Sequence, residues 1–226
     1  MIVAVDGPAG SGKSSVCKGT ARALHWRYLD TGAMYRAMTW AVLQAGIDPQ
    51  NASLVADFCT TPVITSGYDP ANPSITVDGV DVGLAIRDHQ VTTAVSAVSA
   101  VPKVREVLVQ LQRSHAADAL QSETGIVVEG RDITTAVLPN ADVKIYLTAR
   151  PEVRALRRAK EESGASTASD QDVQATREAL ERRDHLDSTR KASPLTQSAD
   201  AIELDTSDLS LDEVIAEVIS RVEAGI

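Results

Sequence analysis

This chain is expected to fold as an α/β protein on a parallel sheet, for three reasons. Short apolar runs of four to six residues recur along it, helical patterns separate those runs, and the first run leads straight into a glycine-rich loop with another helical pattern behind it. Runs that are apolar on both faces suit strands buried between two helical layers. In such a sheet, ligands bind beyond the carboxyl ends of the strands.

Taken in order, "IVAV" (2–5) is the first strand, the loop Gly7 to Gly12 follows, and a helix begins near Gly12. "WRYLD" (26–30) reads as a further strand. "MYRAMTWAVLQAG" (34–46) has an amphipathic helical period that puts Met34, Met38, Ala41 and Val42 on the core side. Residues 60–82 break the rhythm: three prolines precede two alternating β segments around Asp78-Gly79, which signals a hairpin and hence a small β insert. "GIVVEG" (125–130), "VKIYLT" (143–148) and "AIELDT" (201–206) supply the remaining strands. Between the last two, "ESGASTASD" (162–170) separates two arginine-bearing helices and reads as a flexible tip. The organisation expected is a core of 1–30, 98–150 and 191–226, a lobe of 31–97 carrying the insert, and a lid region of 151–190.

The chain has 226 residues, 43% of them hydrophobic, enough for one substantial core. Its formal charge of −9 opposes nucleic acid and anionic membrane surfaces as partners, because the long-range field repels polyphosphate backbones. Cys17 and Cys59 are few and far apart, which suits a reducing compartment. "MIVAV" runs into the glycine loop with no basic leader before it, so the expected fold starts at residue 1 and the protein is expected to be cytoplasmic and monomeric. His25, His89, His115 and His185 are scattered without metal-ligand or triad spacing.

Gly7, Gly12, Lys13 and Ser14 match G-x-x-x-x-G-K-[ST], between an apolar strand and a helix, as a nucleoside triphosphate site requires. Glycines let backbone N–H groups converge on phosphate oxygens, and the helix N-terminus faces them with its positive end. Gly7, Pro8, Ala9, Gly10, Ser11, Gly12, Lys13, Ser14 and Ser15 are therefore expected to hold a nucleoside triphosphate, with Ser14 on Mg2+. What accepts the phosphoryl group is a separate question.

Arginine is the conspicuous residue: Arg36, Arg105, Arg131, Arg154, Arg157, Arg158, Arg183 and Arg190. Arg157 and Arg158 can pair with Glu161 and Glu162 at i, i+4 on a solvated helix face. Such pairing does not account for Arg131 in "EGRD", at the end of a buried-type strand. Arg183, Asp187 and Arg190 fall at i, i+4 and i+7, on one helical face that could close over phosphates. A flexible tip between arginine-bearing helices suits a closing lid. Two anionic ligands follow, the second carrying its own phosphate. A phosphate monoester, with a second pKa near ~6, is already the dianionic nucleophile at neutral pH and needs no protein base. A small-metabolite kinase with a hydroxyl acceptor and a non-enzymatic nucleotide-binding module stay open as alternatives.

"GPAGSGKSS", "LDTGAMYRA", "VEGRDI", "RDHLDST", and "SPL" followed by "ADAIELDTS" together resemble, in order and over nearly the whole chain, the bacterial cytidylate kinases. The resemblance implies the P-loop nucleoside monophosphate kinase fold: a five-stranded parallel sheet, a monophosphate lobe enlarged by a β insert, and a helical lid. It implies transfer of phosphate from ATP to CMP or dCMP, with magnesium. Carried over by position, Thr31 and Tyr35 line the monophosphate pocket, Arg36 takes the CMP phosphate, and Ser96, Arg105 and Asp132 read cytosine. Arg131 contacts phosphate, and Arg183, Asp187 and Arg190 surround ribose and phosphate. Lys13, Arg131, Arg158 and Arg183 become the expected catalytic cations, with Arg157 on ATP. His185, Leu186 and Gly83 depart from the family's usual residues. Asp132 accepting from the cytosine amine, with Arg105 and Ser96 donating to the ring, would reject uracil. Asp30 is open between orienting magnesium waters and capping the next helix.

Overall fold

The computed structural model describes residues 1–164 and 167–225. Its central sheet joins β1 (Ile2–Asp6), β2 (Arg27–Asp30), β6 (Ile126–Glu129), β7 (Val143–Thr148) and β8 (Ile202–Asp205) in the order β2-β6-β1-β7-β8. Every pairing is parallel, with Val3 opposite both Val127 and Val143. All five expected strands are present to within a residue or two. The edge strand β8 alternates half-buried and exposed residues, as a strand with one free side should.

Side-chain alternation along β1 sorts the two cores. Val3 and Val5 point with Tyr28 and Val127 toward α1 (Lys13–Leu24) and α8 (Leu211–Ala224), where Val16, Cys17, Val214 and Val218 meet them. Ala4 points with Leu29, Ile126 and Val128 to the opposite face, covered by α2 (Thr31–Gln44) and α5 (Pro102–Gln121). The small Ala4 leaves room for Met34, Met38 and Leu108, all fully buried. Each such aliphatic side chain contributes about 1.5–3 kcal/mol by leaving water. Met34, Met38, Ala41 and Val42 thus form core, as their period indicated.

Beyond α3 (Ala52–Phe58), the insert is a three-stranded antiparallel sheet of β3 (Ile64–Ser66), β4 (Ile75–Val77) and β5 (Val80–Asp81), one strand more than the alternation suggested. Asp78 and Gly79 both take positive φ, 50° and 80°, the primed-turn geometry that matches strand twist. α4 (His89–Ser99) follows. The π-helical turn Ile133–Val137 comes directly after β6.

α6 (Pro151–Ser163) and α7 (Asp170–Thr189) pack along each other as a helical hairpin. The expected flexible tip, 162–170, lies partly outside the described residues. α7 ends earlier than its arginine spacing implied: Arg190 is already extended, at φ −61° and ψ 143°, so Arg183, Asp187 and Arg190 do not share one helical face. Leu195 N–H donates to the Asp187 carbonyl at 2.8 Å and Arg190 Nε to the Ser193 carbonyl at 2.7 Å, bonds that turn the chain away. Among the described residues, no helix is long and apolar enough to cross a membrane.

Gly7 links β1 to the phosphate loop at φ +147°, and a Cβ there would stand 2.0 Å from the Leu147 carbonyl oxygen of β7. Gly7→Ala is therefore expected to destabilise the fold by at least about 3 kcal/mol, measured by denaturant or thermal unfolding.

Candidate active site

A cleft of about 530 Å³ opens at the carboxyl ends of β1, β2 and β6, between the phosphate loop, α2, α4 and the α6–α7 hairpin. Of the residues expected to hold ATP, Ala9, Gly10, Ser11, Gly12, Lys13, Ser14, Ser15 and Arg157 line it. Gly7 and Pro8 stand behind its wall. Thr31, Tyr35, Arg36, Ser96, Arg131, Asp132, Arg158, Arg183, Asp187 and Arg190 line the same space, while Arg105 is buried behind Tyr35 and Asp132. Residues up to 181 positions apart are brought together because all the contributing strands end on one side of a parallel sheet.

On the loop side, Gly12 caps α1 at φ 89°, and Lys13 folds back so that Nζ donates to the Pro8 carbonyl at 2.7 Å and to Ser11 Oγ at 3.3 Å. Burial, then the Arg131 cation, holds the Lys13 ammonium below its ordinary pKa. A phosphate beside it would relieve that cost. Ser14 Oγ donates to Glu129 Oε2 at 3.0 Å, and the Tyr28 hydroxyl donates to Glu129 Oε1. Glu129 was not singled out in the sequence, although a carboxylate ending the buried run "IVVE" was the available signal. Burial, then the Asp30 charge, raises its pKa. Asp30 accepts from Ala33 N–H at 2.9 Å and so is the N-cap of α2, the second of its two readings.

A raised carboxyl pKa means the folded chain holds that proton more tightly than the unfolded one, so stability falls as pH rises from about 4.5, the ordinary Glu129 value. Between pH ~5 and ~6.5, before Lys13 begins to lose its proton, Glu129→Gln is expected to flatten part of that decline. Thermal unfolding of both proteins across the window checks it.

On the acceptor side, cations and carboxylates alternate. Arg131 Nε donates to Asp187 Oδ2 at 3.2 Å, Asp187 lies 3.8 Å from Arg190, Arg190 reaches Asp132 Oδ1 at 3.5 Å, and Asp132 Oδ2 accepts from Arg105. Arg105 in turn sits 5.3 Å over the Tyr35 ring. Burial pushes the Tyr35 hydroxyl up to about 12. Two arginines stand apart from this chain. Arg36 donates to the Ile86 carbonyl and Thr92 Oγ1, at 3.1 and 2.9 Å. Arg183 has a buried Nε without a partner, and burial plus the Arg131 and Arg36 charges press its guanidinium down to about 9. Neither has a carboxylate within 4.0 Å among the described residues. The middle of the cleft is thus short of negative charge.

Three arginines of the hairpin have the following partners. Among the described residues Arg157 pairs with no glutamate, against expectation; its guanidinium donates to Thr206 Oγ1 and the Thr206 carbonyl at 2.8 and 2.6 Å, because α6 packs that face against the end of β8. Arg158 pairs with Glu161, three residues on, at 3.0 Å; the side chain of Glu162, its i, i+4 candidate, lies outside what is described. Arg154 is turned from the cleft onto the loop, where Nη1 donates to the Ala9 carbonyl at 2.9 Å and pairs with Asp184.

Two further carboxylates, Asp6 buried and Asp184 half-buried, carry no sequence signal of their own. Asp6, at the end of β1, accepts from Ile133 N–H at 2.9 Å and from Thr134 N–H and Oγ1, both at 2.7 Å, fixing the turn that carries Arg131 and Asp132. Asp184 accepts from Ala9 N–H at 3.0 Å. Asp6 stands just before the phosphate loop and Asp184 inside "RDHLDST", but the spacing argued there involves Arg183, Asp187 and Arg190 instead.

The model of the family described as Cytidylate kinase matches residues 3–224. Curated cytidylate kinases of Streptomyces avermitilis and Streptomyces coelicolor are 55% and 56% identical to this chain, each match covering 99% of it and 93% of the relative. That of Mycobacterium leprae is 50% identical, covering 99% and 96%. A crystal structure described as a sugar kinase from Janibacter sp. HTCC2649 superposes with a TM-score of 0.50 at 14% identity, over 98% of this chain and 94% of that one, a likeness of fold alone. With half of all positions shared across nearly full length, this chain belongs to the cytidylate kinase family.

Proposed function

We infer that this chain transfers the γ-phosphoryl group of ATP to CMP or dCMP, giving ADP and CDP or dCDP. The observation that carries the reading is the meeting, in one cleft, of a phosphate loop with a cluster of arginines in which Arg36 and Arg183 have no carboxylate partner among the described residues. The loop amides and Lys13 hold the β and γ phosphates of the donor. Arg36, Arg131 and Arg183 take the acceptor phosphate, and Arg157 and Arg158 approach the donor from the hairpin. Asp132 and Ser96 read the base, and Arg105 acts from behind by holding the Asp132 carboxylate.

In the step itself, an acceptor phosphate oxygen bonds to the γ phosphorus as the bond to the β–γ bridging oxygen breaks, and the electron pair leaves with ADP. No proton has to be removed from a dianionic acceptor. The guanidinium groups offset repulsion between the two phosphates and stabilise charge on the transferring group. Water is kept out by the hairpin.

Ser14 Oγ beside the Glu129 carboxylate is an all-oxygen donor pair suited to a hard cation such as Mg2+. When bound there with ATP, magnesium would offset β and γ phosphate charge. Ser14 is its expected ligand, with Glu129 holding that hydroxyl and waters around it.

The same reading divides the chain into a core of 1–30, 98–150 and 191–226, a monophosphate lobe of 31–97 and a closing hairpin of 151–190. It places the enzyme in the cytoplasm as a monomer acting on small nucleotides. A coupled ADP-release assay tests it with CMP, dCMP, UMP and a sugar or shikimate-like acid as acceptors. Turnover dependent on CMP and dCMP is the expected result; turnover only with a hydroxyl acceptor, or with none, overturns the reading.

A further inference from the structure

The α6–α7 hairpin is fastened to the phosphate loop at one residue, Ala9. Asp184 Oδ1 accepts from Ala9 N–H at 3.0 Å, Arg154 Nη1 donates to the Ala9 carbonyl at 2.9 Å, and Arg154 and Asp184 pair with each other. Both polar groups of Ala9 are therefore held by the hairpin, one from each helix. The adjoining Gly10, at φ +76°, lies so close that a Cβ would stand 3.0 Å from the Arg154 carbonyl oxygen and 3.4 Å from Leu180 Cδ1.

Leu180, Asp184 and Asp187 recur at i, i+4 and i+7 on α7, one stripe of the helix. Leu180 rests on Gly10, Asp184 on Ala9, and Asp187 on Arg131. Arg183 stands next to this stripe and enters the cleft. The rotation and height of α7, and with them the position of Arg183, are referred to the loop that binds the donor nucleotide.

We propose that Asp184, with Arg154, is a positioning residue that couples the two nucleotide subsites, so that ordering the phosphate loop with donor also sets the α7 cations for the acceptor. Asp184 touches neither substrate; it acts through the Ala9 peptide and the α7 backbone. The inference rests on the acceptor being a nucleoside monophosphate, as proposed above. Coupling of this kind is reciprocal and typically amounts to about a tenfold change in affinity.

The test is CMP binding by calorimetry to the full chain, with and without a saturating non-hydrolysable ATP analogue and Mg2+. In the unaltered protein the analogue is expected to tighten CMP about tenfold. In Asp184→Ala that ratio is expected to fall to about one while CMP affinity without analogue changes less than about threefold. Asp184→Asn keeps an acceptor for Ala9 N–H but loses the charge facing Arg154, and is expected to retain part of the ratio. It gives the same comparison should Asp184→Ala not fold. A full ratio retained in either variant, or no coupling in a wild type that binds and turns over CMP, overturns the coupling alone. A wild type that neither binds CMP nor turns it over overturns the functional reading with it.

Discussion

Replacing Arg183 by methionine is expected to lower kcat about 10³-fold while leaving the folded protein as stable as before, or slightly more so. The two halves of that expectation have one cause. Arg183 is half-buried, with a buried, unpartnered Nε, flanked by Arg131 and Arg36, and its pKa is pressed down to about 9. A cation so placed costs the folded state free energy and repays it only when an anion arrives. Methionine has similar bulk and removes the charge, so the fold loses nothing while the transition state loses a donor fork. Arg183→Lys should recover only part of the rate, because an ammonium does not reproduce bidentate geometry. Steady-state kinetics with thermal unfolding on the same preparations gives both halves. A fall in Tm of several degrees with little change in kcat would make Arg183 a structural residue.

Asp132→Asn is expected to do the reverse on stability. Asp132 is 3% exposed and lies between Arg105 and Arg190. Removing its charge leaves two buried guanidinium groups short of compensation, a loss of about 3 kcal/mol. It should also narrow the preference for CMP over UMP by at least tenfold, since an amide can turn either a donor or an acceptor to the base edge. The comparison of kcat/KM for the two nucleotides decides the second point. An unchanged ratio means that Asp132 does not read the base.

The contrast between these residues explains how far the sequence could be followed. Strands were legible because burial on both faces of a parallel sheet forces continuous apolar runs, and "IVAV" and "VKIYLT" allow little else. The edge strand β8, half exposed, still shows as the short β-type run "AIELDT". The third strand of the insert, two residues long, is too short to show alternation. Arg190 was misplaced on a helix because helical period extends on paper until something stops it. Here the stop is a tertiary bond from Leu195 to the Asp187 carbonyl, which no local pattern records.

At the site, the phosphate loop was read residue by residue because its chemistry fixes both residue type and spacing. Most of the conspicuous arginines line one cleft, but their partners are not legible in the sequence. Whether Arg154 meets a phosphate or the Ala9 carbonyl depends on how α6 sits on the loop, and only packing decides that. Asp6, Glu129 and Asp184 were passed over for the same reason. Each acts through backbone groups or hydroxyls distant in sequence, and a single carboxylate carries no spacing of its own.

The central claim is that guanidinium groups draw two mutually repelling phosphates into line, without a base from the protein. A crystal structure with CMP and a non-hydrolysable ATP analogue tests it most directly. The account requires Arg36, Arg131 and Arg183 on phosphate oxygens, with Arg131 drawn off Asp187 and no carboxylate within hydrogen-bond reach of the attacking oxygen. Arginines still held by Asp187 and Asp132 or turned to solvent, or a carboxylate poised on the acceptor, would contradict it.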